Sequence, residues 1–134
     1  MRKDGSTGKS LTTAQAAAGF ASPADEFIEG QLDLNELLVK HPAATFFMRA
    51  NGGTAMAGGI RLNDILVVDR SLKAGHRAIV VAVINGELAL RRMIVKDDDR
   101  FLRSDENKAT EVQLKEGAEV EIWGVVSAIV RDLT

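Results

Sequence analysis

The stretch Arg-Ala-Asn-Gly-Gly-Thr-Ala-Met-Ala-Gly-Gly-Ile-Arg-Leu-Asn-Asp-Ile-Leu-Val-Val-Asp occupies residues 49–69 of a chain of 134 residues. It starts where one apolar run ends, Thr45-Phe46-Phe47-Met48, and closes in a second, Ile65-Leu66-Val67-Val68, stopped by Asp69. Two glycine pairs lie between the runs, Gly52-Gly53 and Gly58-Gly59. Glycine takes positive φ at no steric cost, so the pattern predicts a sharply turned loop feeding a strand. A loop of this kind can hold a short side chain at a fixed point, as a nucleophile requires.

C-terminal to this stretch the chain reads as strands. Residues 78–84 are β-rich, and Asn85-Gly86 is a strong signal for a type I′ hairpin turn, which returns through residues 87–95. Asp97-Asp98-Asp99 reads as a solvated acidic turn, since adjacent carboxylates without further ligands make a poor metal site. Phe101-Leu102 and the Val112–Leu114 region suggest short strands, and residues 119–130 a long closing one. That closing strand carries Val120, Ile122, Trp123, Val125, Val126, Ile129 and Val130. Placed at the end of the sheet, it has more apolar surface than one face can bury, which predicts a two-fold dimer.

N-terminal to the loop, Ser22-Pro23-Ala24-Asp25-Glu26 is a helix-start pattern that Gly30 should end. Asp33-Leu34-Asn35-Glu36 starts a second short helix in the manner of a capping box, and His41-Pro42 stops it. Residues 1–21 hold only Leu11 and Phe20 as large apolar side chains. They read as a flexible arm, because they bury too little to offset the entropy of ordering. The arm is also too short for a helix-turn-helix domain. Residues 22–134 then form one domain.

The composition narrows the function classes. Net charge is −2 with both signs interspersed, so no basic footprint for nucleic acid is visible in the sequence. Cysteine is absent, which excludes disulfides, thiol catalysis and Cys-based metal sites. His41 and His76 have no metal-ligand spacing. No apolar run approaches the roughly 20 residues of a membrane helix, and the N-terminus lacks the apolar core of a signal peptide. A cytoplasmic protein without metal or cofactor is expected.

Several runs resemble the LexA/UmuD family of self-cleaving serine peptidases. Asn63-Asp64-Ile65-Leu66-Val67-Val68-Asp69 matches the family's Gly-Asp-hydrophobic-hydrophobic-Val-Asp. The runs Asp33-Leu34-Asn35-Glu36-Leu37-Leu38 and His41-Pro42-Ala43-Ala44-Thr45-Phe46-Phe47 resemble its UmuD branch most closely. Trp123-Gly124-Val125-Val126 resembles its closing strand. The likeness spans residues 18–132. It implies a mostly β, bent antiparallel domain with one or two short N-terminal helices. It also implies a homodimer serving as accessory subunit to a Y-family, error-prone translesion DNA polymerase in the SOS response, in contact with the RecA filament. Sequence-specific DNA binding and membrane attachment are not implied.

The resemblance places a self-cleavage bond at Ala18-Gly19, in Ala16-Ala17-Ala18-Gly19-Phe20. Family members cut it with a serine and a neutral, desolvated lysine that takes the serine's proton. Aligned without gaps, the serine position holds Thr54; anchored on Met56 instead, it holds Ala55. Gly53 stands where the family has aspartate. The lysine position, on the return strand Gly86-Glu87-Leu88-Ala89-Leu90-Arg91-Arg92, holds Arg91. A guanidinium keeps its proton at neutral pH and cannot act as the base. The expectation is a pseudo-peptidase. The alternatives are an autopeptidase that uses Thr54 with Lys73 or His76 as substitute base, and a dimerisation module derived from a repressor.

Overall fold

The computed structural model describes residues 24–51, 57–106 and 110–134. The arm of residues 1–21, the Ala18-Gly19 bond and the loop centre with Gly53, Thr54, Ala55 and Met56 lie outside the described residues. The chain divides into two units, Met1–Leu38 and Val39–Thr134.

In the first unit the expected helix beginning at Ser22 is reduced to a single 3-10 turn, Asp25–Phe27, after which the backbone extends at Ile28. Gly30 does take positive φ. The few residues between Pro23 and Gly30 form too short a run to offset the cost of helix nucleation. The second helix, α1 (Leu34–Leu38), forms as read. The Asp33 carboxylate accepts the Asn35 and Glu36 N–H groups at 3.0 and 3.4 Å, filling two of the donors a helix start leaves open.

The second unit opens with a 3-10 turn at Pro42–Ala44. It continues as strands β1 (Thr45–Arg49), β2 (Ile65–Asp69), β3 (Ile79–Ile84), β4 (Glu87–Lys96), β5 (Asp99–Arg103), β6 (Val112–Gln113) and β7 (Val120–Val130). They build a sheet in the order β1-β2-β7-β3-β4-β5-β6. Every neighbouring pair is antiparallel. The β3–β4 turn has Asn85 and Gly86 both at positive φ, as a type I′ hairpin requires.

The closing strand β7 is not at the end of the sheet, as the sequence suggested. It lies between β2 and β3 and joins the two halves. It reaches there by gaining a residue twice. Its register shifts against β2 between Val67 and Val68 and against β3 between Val81 and Ala82. Each bulge sharpens the local twist. Gly124 sits between them because β2 passes so closely: a Cβ there would lie 2.7 Å from Val68 Cγ1 and 3.2 Å from the Asp69 carbonyl oxygen.

Two apolar clusters cover opposite faces of β3 and β4. Ala50, Ala57, Ile60, Leu66, Val68, Val81 and Leu90 form the first, under the ends of the glycine-rich loop. Ala74, Val80, Ala82, Met93, Leu102 and Val125 form the second. Adjacent residues of one strand fall in different clusters, as strand alternation dictates. This explains why Val80, Val81 and Ala82 are all fully buried.

Candidate functional site

The loop between β1 and β2 is rooted by paired backbone bonds. The Ala50 N–H donates to the Asp64 carbonyl at 2.8 Å, and the Asn63 N–H donates back to the Ala50 carbonyl at 2.8 Å. Asn63 adopts φ 73°, which Asn tolerates better than most residues. Ala50, Ala57 and Ile60 then insert into the first apolar cluster, so both ends of the loop are pinned.

Two ion pairs hold the loop from outside. Arg131, beyond β7, grips the buried Asp64 carboxylate with two bonds of 2.7 Å and the Gly59 carbonyl with a third of 2.9 Å. The Arg61 N–H adds a further bond to Asp64 at 2.7 Å. On the other side, the Asp105 carboxylate accepts the Gly58 N–H at 2.7 Å and is bridged by Arg92 at 3.0 and 2.7 Å. A buried carboxylate is tolerated only when satisfied in this way. The sequence reading missed both pairs. Their partners are 67 and 13 residues apart, and the one available signal was an aspartate directly before an apolar strand.

A third carboxylate, Asp69 at the end of β2, accepts the Ser71 hydroxyl at 2.6 Å, the Ser71 N–H at 2.8 Å and His41 Nδ1 at 2.6 Å. Serine and histidine both point at the aspartate and not at each other, so this group is a structural clasp and not a relay.

These contacts predict an acid response. Arg131 holds Asp64, Ser71 and His41 hold Asp69, and Arg92 holds Asp105, each lowered from 3.8 to about 2. A carboxylate lowered on folding stabilises the fold above its unfolded value and loses that contribution as pH falls through the folded one. The thermal midpoint, followed by circular dichroism, is expected to drop mainly between about pH 4 and pH 2. A midpoint unchanged down to pH 2 would contradict these pairings.

The arginine positions on β4 come out as follows. Arg91 is half-buried, stands opposite Val80, and donates to the Leu90 carbonyl at 2.9 Å. By alternation it shares the face of Val80 and Met93. Its neighbour Arg92 stands opposite Ile79 and bonds the Asp105 that holds the Gly58 turn. The side chain that braces the described part of the loop is therefore Arg92. The relation of Arg91 to Thr54 lies outside the described residues. Of the two substitute bases considered, Lys73 is exposed. His76 accepts the Val95 N–H on Nδ1 at 3.0 Å. Its neutral ring then carries its N–H on Nε2, and its Nδ1 lone pair is engaged by the Val95 N–H.

A family model described as Peptidase S24-like matches residues 10–127. The chain belongs to this family. Among its Peptidase S24-like relatives, protein MucA of Salmonella typhimurium is 39% identical over 111 residues, covering 83% of this chain and 76% of MucA. Protein SamA of Salmonella typhimurium is 38% identical over 120 residues, covering 90% of this chain and 83% of SamA. A LexA repressor of Geotalea uraniireducens is 40% identical over 119 residues, covering 87% of this chain and 58% of the repressor. The resemblance to the LexA/UmuD family, and to its UmuD branch, is borne out. So is the mostly β, antiparallel fold. Among the described residues no helix is long and apolar enough to cross a membrane.

Proposed function

We propose that this Peptidase S24-like chain is a UmuD-like SOS-response protein: a cytoplasmic, homodimeric accessory subunit of a Y-family translesion polymerase that also meets the RecA filament, with a degenerate cleavage dyad. One observation carries the loss of chemistry. Both positions of β4 that follow Leu90 are arginine, Arg91 and Arg92. A shift of the alignment by one residue exchanges one guanidinium for another, and neither releases a proton near neutral pH. Thr54 keeps a hydroxyl, but a hydroxyl without a base stays a weak nucleophile.

The β7 strand supports the dimer. Ile122, Trp123, Ile129 and Val130 remain 36–40% exposed on a central strand, and Phe47 of β1 is 55% exposed. Trp123 meets Phe46 edge-on at 6.5 Å and carries Arg70 at 6.0 Å from its ring centre. Exposed apolar side chains of this kind fit a second copy better than open water. Sedimentation at tens of micromolar, on the order of common assay concentrations, is expected to give a dimer. A monomer under those conditions would contradict the proposed assembly. The polymerase role is tested by co-purification with a Y-family catalytic subunit. Retention of the subunit supports the role, and its absence in equilibrium binding at micromolar concentrations would overturn it.

A further inference from the structure

A cleft of about 320 Å³ opens beside the Gly58 turn, lined by His76, Arg77, Arg92, Ile94, Arg103 and Asp105. It gathers three guanidiniums from the β3 approach, β4 and β5, which are scattered through the sequence. We propose that this cleft is an oxyanion site that binds a phosphate group. The proposal is independent of the dyad and of the polymerase reading.

The charge balance of the cleft is positive. Asp105 is the one carboxylate among the described residues of its lining, and its oxygens are occupied by Arg92 and the Gly58 N–H. Arg92 also donates to the Arg77 carbonyl at 2.8 Å, which fixes the guanidinium as part of the wall. Glu111 approaches from outside, but at 3.9 Å from Arg103 Nη1 and 3.8 Å from Lys96 Nζ it is too distant for hydrogen bonds. Arg103 Nε is buried and has no hydrogen-bond partner among the described residues. An unsatisfied buried donor is costly, so this guanidinium is not fully neutralised by its protein surroundings. The guanidinium of Arg77 makes no ion pair among the described residues, and the residue is exposed.

His76 adds a directed donor. Because Nδ1 accepts the Val95 N–H, the neutral imidazole keeps its N–H on Nε2. Arginine forks and an imidazole N–H are the donor types that surround phosphate oxygens. Among the described residues the lining holds no aromatic ring besides this imidazole, so they offer no stacking platform for a base. The site would read the phosphate alone, without sequence preference.

The test is a two-dimensional amide NMR titration at constant ionic strength with three probes: inorganic phosphate, pyrophosphate and a short single-stranded oligodeoxynucleotide. The expected result is saturable shifts at His76, Arg77 and Arg103 with at least one probe. Arg77→Glu and, separately, Arg103→Gln are expected to weaken that binding about tenfold or more. Lys115→Glu, an exposed charge reversal elsewhere, should change it less than about twofold. Saturation by pyrophosphate alone assigns the site to small phosphorylated molecules. Saturation by the oligonucleotide, with pyrophosphate displacing it, assigns the site to strand phosphates. Shifts that stay linear with every probe, or affinity that Arg77→Glu and Arg103→Gln leave unchanged in folded protein, would overturn the proposal.

Discussion

Gly58→Ala is expected to destabilise the fold by about 2–4 kcal/mol, and Gly59→Ala by only about 1 kcal/mol. Both glycines sit at positive φ, 58° and 78°. Both substitutions therefore carry the backbone cost of a Cβ in the left-handed region. They differ in what that Cβ meets. At Gly58 it would lie 2.1 Å from Ile79 Cδ1 and 3.2 Å from Arg92 Nη2; at Gly59 nothing lies within 4 Å. Ile79 Cγ1, held by the stiff χ1 of a β-branched residue, also lies at 3.2 Å, and Arg92 is fixed by Asp105, so turning Cδ1 aside relieves only part of the crowding. Urea unfolding of the two variants checks this. Equal midpoints would mean that the Gly58 turn is not seated on β3 and β4 as described.

The second large effect is a gain of chemistry. Under the proposed assignment of the dyad to positions 54 and 91, which rests on the family resemblance, Thr54→Ser with Arg91→Lys is expected to start cleavage between Ala18 and Gly19, while either change alone leaves the chain intact. Nucleophile and base act as one unit, and losing either commonly costs about 10⁴-fold or more. Thr54→Ser alone fails because a guanidinium cannot accept the proton. Arg91→Lys alone fails because the extra methyl of threonine restricts its rotamer and crowds the attack. Adding Gly53→Asp, which brings back the family's residue before the nucleophile, is expected to give the fastest variant. Cleavage in Arg91→Lys alone at the rate of the double variant would contradict the account of threonine. The rates are read by intact mass against time.

Local rules made much of the fold legible. Asn85-Gly86 announced the hairpin because few other pairs tolerate two positive φ values in succession. Asp33 announced α1 through its capping carboxylate. The centre of the sheet was less legible. That β7 lies between β2 and β3 follows from pairings across tens of residues and from two bulges, and no local pattern encodes either. Its alternation also breaks at Trp123-Gly124, where the bulge against β3 falls. The helix-start pattern at Ser22 misled because a capping pattern alone cannot propagate a helix through so short a run.

The site divides the same way. That β4 carries arginine at positions 91 and 92 can be read from the sequence, because it needs only residue identities. The clasps by Arg131 on Asp64 and by Arg92 on Asp105 cannot, since each is a meeting of side chains from different strands or loops. The basic cleft is hidden for the same reason: a net charge of −2 says nothing about three guanidiniums converging on one wall.

This Peptidase S24-like chain keeps the family's mostly β fold, and the loss of its self-cleavage is our proposal. The most direct measurement is the intact mass of the unmodified protein after prolonged incubation, once at alkaline pH and once with activated RecA filament at neutral pH. The account predicts a single species of full mass in both. Fragments split between Ala18 and Gly19, and lost in Thr54→Ala, would contradict it and establish a working threonine autopeptidase.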